Sequence, residues 1–165
     1  MNPILSAGLL IGVLCSVWTF VMGFTGWYKD PVLLILFLPA VILIEIGGLY
    51  WGLRQTAAQG RTYGGQVVAG AMMSTIAGVI VIGSSLLFTM VAFPNYFREL
   101  ETLQRQMLAD AGRSSAEIDA AVQASASTPM GQALSGFLGT LITGIIVSGI
   151  MAIWIRSKPV VHAAV

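Results

Sequence analysis

Residues 31–53 read PVLLILFLPAVILIEIGGLYWGL. A helix of this length reaches about 34 Å at 1.5 Å per residue, enough to cross a hydrocarbon core of roughly 30 Å. One carboxylic acid, Glu45, lies well inside it. Lipid offers a carboxyl group no water, so Glu45 has to turn toward neighbouring helices, which only the other apolar runs of the chain can supply. The stretch therefore predicts an all-α fold: an integral membrane four-helix bundle, with all 165 residues forming one transmembrane domain.

Composition agrees with that class. Apolar residues make up 56% of the chain and charged residues 9%, with a mean hydropathy of +0.86, whereas soluble domains carry roughly 25% charged residues. A net charge of +1 provides no basic surface, so nucleic acid is not an expected partner. Cys15, the single cysteine, sits in an apolar run and can form neither an internal disulfide nor a cysteine-based metal site.

Four spans are predicted, at about 4–24, 31–53, 64–93 and 131–155. The first is too long for a signal-peptide core and has no Lys or Arg before it, so it reads as a retained span. A Trp27–Tyr28 interfacial turn joins it to the second, where Pro39 removes one backbone hydrogen bond and can bend the helix. Gly8 with Gly12, and Gly48 with Gly52, form GxxxG pairs. Thr140, Gly144, Ser148 and Ala152 make a small, weakly polar stripe on the fourth span. Small residues let helices approach closely where lipid removes the ordinary hydrophobic drive.

Between the third and fourth spans, residues 94–128 hold five of the seven acidic residues. Phe97, Leu100, Met107, Leu108 and Ala111 recur at helical spacing, which predicts an amphipathic helix stopped by Gly112. Ser114 and Glu117 then have capping-box spacing ahead of a second short helix. This hairpin could cover its own bundle, lie on the membrane, or dock a partner, with Phe97, Leu100, Met107 and Leu108 as the docking surface.

Even-numbered spans put both termini on the side of Arg54 and Arg61. The Lys/Arg count is tied: Arg54, Arg61, Arg156 and Lys158 against Lys29, Arg98, Arg105 and Arg113. The first set lies mostly beside span ends without acidic neighbours, which places the termini in the cytoplasm and the loop outside. Counting depth along each span puts Glu45 roughly level with Ser74 or Thr75, Ser148, and Cys15 or Ser16. One intramembrane polar layer is expected: Glu45, Ser16, Ser74, Thr75 and Ser148.

The Gly48–Arg54 run GLYWGLR, Gly64-Gly65-Gln66, Pro94-Asn95-Tyr96 and the Ala111–Ser114 break followed by Ala116-Glu117-Ile118 resemble a bacterial four-span family designated domain-of-unknown-function family 4199. The resemblance extends over nearly the whole chain. It implies a multi-pass protein of the bacterial inner membrane and supplies no catalytic residues. Nor do the residues themselves: the only histidine, His162, is in the tail, no nucleophile has a base beside it, and no cluster has metal-ligand spacing. No enzyme, metal or cofactor is expected. The leading expectation is an accessory, scaffold or assembly subunit that meets the bilayer and another membrane protein or a second copy through small-residue faces and the 94–128 loop. The alternative is a small channel, carrier or sensor built on Glu45.

Overall fold

A computed structural model describes residues 2–155; Arg156, Lys158 and His162 lie outside the described residues. Helix α1 covers Pro3–Thr25, capped by the Asn2 side chain at its start and ended by Gly26 in the left-handed region at φ 73°. A 3-10 turn, Trp27–Lys29, leads to α2 (Pro31–Ile35) and α3 (Phe37–Ala57), and α4 covers Tyr63–Leu87. Two extramembrane helices, α5 (Tyr96–Asp110) and α6 (Ser115–Ser125), precede α7 (Pro129–Ile155). Four segments are long and apolar enough to span a membrane: Pro3–Thr25, Pro31–Ala57, Tyr63–Ala92 and Pro129–Ile155. No strand occurs among the described residues. The protein is an all-α, multi-pass membrane bundle.

The second span is broken at Leu36, upstream of Pro39. Proline lacks an N–H for the carbonyl four residues earlier, and its ring crowds that carbonyl. Here that carbonyl belongs to Ile35, the last residue of α2, so the joint falls where Pro39 removes support. At the far end of α4 the last turn widens over Phe88–Ala92, and the Phe93 N–H donates to the Phe88 carbonyl at 2.7 Å. Pro94 follows, and the residue before a proline is pushed out of the helical region; Phe93 sits at φ −132°, ψ 66°.

Helix α4 packs against α1, α3 and α7, and α3 also touches α1 and α7. The bundle is thus a rhombus with α3 and α4 across its short diagonal. Its core is Ile4, Ala7, Ile11, Cys15, Leu49, Leu53, Ala69, Met73 and Ala77. Small residues set the spacing. A Cβ on Gly8 would fall 2.7 Å from that of Ile76, and one on Gly12 2.8 Å from that of Ile80. Gly48 and Gly52 likewise receive Ile11, Ala7 and Met73. Along α4 and α7 the fit is reciprocal: Ser148 fills the space a side chain on Gly70 would need, and Ser74 fills that of Gly144. Both GxxxG pairs, with buried Thr140 and Gly144, are therefore covered within the chain.

Candidate functional site

Glu45 is 1% exposed and accepts a hydrogen bond from Ser74 Oγ at 3.1 Å. Helix α7 closes over the pair at Gly144, where an added Cβ would lie 3.0 Å from Glu45 Oε1. The expected polar layer is narrower than depth alone predicted. Ser148 is buried, but it faces Gly70 and donates to the Ile145 carbonyl at 3.1 Å. The Ser16 hydroxyl lies 2.7 Å from the Gly12 carbonyl and 2.8 Å from Ser84 Oγ. Thr75 is exposed and donates to the Ala71 carbonyl of its own helix. Rotation explains the difference: successive helical residues turn by about 100°, so Ser74 and Cys15 face inward while Thr75 and Ser16 turn aside.

Toward the hairpin end the bundle opens. A cavity of about 210 Å³ lies between α3 and α7 with α1 and α4 behind it, and Glu45 and Cys15 line it. Hydroxyl and amide groups from Thr19, Ser84, Ser85, Gln132, Ser135 and Thr143 stud its largely apolar wall. A second cavity of about 220 Å³ continues outward, sharing Thr19, Phe37, Ser85 and Gln132 with the first. Tyr28, Phe88 and Tyr96 form its aromatic side. Among the described residues, no Lys or Arg lines either cavity. The carboxyl of Glu45 thus stands at the floor of a two-chambered cleft, with Ser74 as its one hydrogen-bond donor among the described residues.

The outer chamber lies beside a ring cluster. Tyr28 and Tyr96 are 5.2 Å apart, Phe88 lies 5.2 Å from Tyr96, and Phe93 lies 4.6 Å from Phe88. Gly23 makes room for this cluster, since a Cβ there would meet Phe88 and Phe93. Glu99 of α5 fastens the hairpin to the Trp27–Lys29 turn: it accepts from the Tyr28 hydroxyl and pairs with Lys29 Nζ at 3.1 Å. Hydrogen bonds from Tyr28 and Lys29 hold the Glu99 carboxyl below its ordinary value of 4.5. Burial, followed by the Glu99 contact, pushes the Tyr28 phenol up.

The two hairpin helices hold each other through Arg105, which bonds Glu101 at 3.0 Å and Asp119 at 2.7 Å, and through Ser125 Oγ, 2.9 Å from Gln104. Ser114 and Glu117 complete a capping box at the start of α6. Of the proposed docking residues, Phe97, Leu100 and Leu108 are half-buried and Met107 is 49% exposed. Phe97 packs on Tyr96 at 5.3 Å, while Phe97 and Leu100 line a groove shared with Val122 and Gln132.

The family described as Protein of unknown function (DUF4199) matches the chain over residues 6–157. The chain belongs to this family. No curated protein and no solved structure matches it. The family designation carries no activity; the chemistry open to the DUF4199 bundle is that of its own side chains.

Several of those side chains escape a reading by periodicity. Thr19, Ser84, Ser85, Gln132, Ser135 and Thr143 face one cleft, yet they lie scattered over three spans at no fixed spacing. Thr56 and Gln66 are both buried at the other end of the bundle, with Thr56 Oγ1 2.6 Å from Gln66 Oε1. The polar pair Gln66 and Thr56 flanks the short 58–62 connection between α3 and α4, and that proximity in sequence is the available signal. No group of His, Cys, Asp and Glu suited to a metal ion occurs among the described residues.

Proposed function

We propose that this protein is a non-catalytic carrier or sensor of the bacterial inner membrane whose working part is the cleft ending on Glu45. The observation that carries this reading is a fully buried carboxyl, held by one serine, at the floor of a cavity with no basic side chain among the described residues of its wall. A carboxyl in apolar surroundings is costly to keep unpaired, and intramembrane acids therefore mark proton, ion or ligand steps. The cleft opens toward the α5–α6 hairpin, and the charge pattern around Arg54 supports placing that hairpin outside and the termini in the cytoplasm. In proteoliposomes loaded with a pH-sensitive dye, Glu45→Gln is expected to cut proton or ligand-coupled flux, or the ligand-induced signal, about ten-fold or more. Equal responses from a folded variant would sink the reading.

An accessory role is the second reading, and the hairpin favours it: α5 and α6 pack mainly on each other, leaving Met107 half exposed. The small-residue faces no longer support that role, because they are filled by α1, α3, α4 and α7 themselves. Native mass spectrometry of protein drawn from its host membrane tests it. A stoichiometric second polypeptide that is lost with Met107→Asp would favour a subunit; a lone chain would favour the cleft.

A further inference from the structure

The hairpin-side half of the cleft is open along α3 and α7 as well as at its end. Leu38, on its wall, is 63% exposed, and Ser135 and Gly139 opposite are also exposed. A Cβ on Gly139 would meet nothing within 4 Å, whereas one on Gly144, five residues further along the same helix, would strike Ser74. The two spans therefore meet at Glu45 and part above it. That gap faces the acyl chains, so a molecule dissolved in the bilayer can reach the carboxyl without crossing the bundle.

The walls state what kind of molecule fits. They are mostly apolar, Phe37, Phe88, Tyr96 and Tyr28 line them, the last with Lys29 Nζ already 5.5 Å from its ring centre, and they end on an acid with no cationic partner among the described residues. Ring faces attract cations, more strongly when water is excluded. A buried carboxylate, for its part, is stabilised by a paired positive charge. Of the other titratable side chains on these walls, Cys15, Tyr28 and Tyr96, none carries positive charge. We propose that the cleft binds a lipid-soluble organic monocation, an ammonium with an apolar or aromatic body, which enters between α3 and α7 and seats its charge on Glu45. This assignment rests on the cleft being the working site and names its ligand class.

The test uses the full chain in phosphatidylcholine nanodiscs and two radiolabelled probes of nearly equal shape, benzyltrimethylammonium and its uncharged carbon analogue neopentylbenzene, with empty discs as the blank. The cation is expected to bind about ten-fold tighter or more than the neutral probe, and Glu45→Gln is expected to abolish that difference. Equal binding of the two probes, or a preference that survives Glu45→Gln, overturns the cationic class while leaving the cleft as a site. No binding of either probe overturns the class and the cleft together. Should Glu45→Gln fail to fold, Gly139→Trp serves in its place. It adds bulk where there is open space, and it must weaken cation binding; unchanged binding in that variant overturns the portal and the proposal with it.

Discussion

The two halves of the bundle are built from similar residues and behave differently. From Glu45 toward Arg54, Gly8, Gly48, Gly52, Gly70 and Gly144 each receive a side chain of the facing helix, and the helices close to contact distance. From Glu45 toward the hairpin, Gly78 still receives Phe137 between α4 and α7, but Gly139 faces open space, and two cavities separate α3 from α7. The joint at Leu36 lies in the open half, and so do the α5–α6 hairpin and its Glu99 fastening. A small residue therefore brings helices together only where a neighbour fills the space it leaves. Where none does, it leaves a vestibule.

Two leucines placed on α7 put this comparison at greatest risk. Gly144→Leu drives a side chain into Ser74 and Glu45 and is expected to destabilise the protein by about 3 kcal/mol, read as a fall in the midpoint of unfolding in mixed detergent micelles. Gly139→Leu, in open space, should stay within about 0.5 kcal/mol. Similar losses for the two would mean that the halves do not differ in packing.

A smaller effect is expected from Ser74→Ala. It removes the hydrogen bond to Glu45 at the boundary between the halves, and interhelical bonds in membranes average about 0.6 kcal/mol. Glu45→Gln keeps an acceptor for Ser74, so its unfolding midpoint should stay nearer that of the wild type. A larger loss for the glutamine would show that Glu45 has partners beyond Ser74.

Glu99→Gln at the hairpin fastening should change least, since Lys29 and Glu99 are partly solvated. Because the Glu99 carboxyl is held below its ordinary 4.5, the stability it contributes is fully present above 4.5 and lost as pH falls through the lowered value. The protection of α5 amides, taken relative to the intrinsic exchange rate at each pH, should therefore fall on acidification below about 4.5 in the wild type and stay flat in Glu99→Gln. A wild-type profile with no pH dependence would remove the ion pair from the account of how the hairpin is held.

Much of this architecture is legible in the residues. The four apolar runs, the turn at Trp27–Tyr28, the Gly112 stop and the Ser114–Glu117 cap each follow from local chemistry that acts within one element. The site is less legible because it depends on rotation between elements. Depth along a helix is read by counting residues, and that brought Ser74 to Glu45. Azimuth depends on which neighbour fills which gap, and this is why Ser16 bonds Ser84 and Thr75 faces outward. The cleft was harder still. Its polar groups come from four helices, and what creates it is the missing contact above Glu45, which no single segment encodes.

The reciprocal seating of Ser74 against Gly144 and Ser148 against Gly70 also bears on biogenesis. Spans leave the ribosome in chain order, so α1, α3 and α4 can assemble while α7 is still unmade. During that interval Glu45 and Ser74 lack the cover that Gly144 later provides. Docking of α7 is a keyed event: sliding it by one residue would bring Thr143 or Ile145 to the place only a glycine fits. The same contact that sets the floor of the cleft therefore also fixes the register in which the last span seats against the other three.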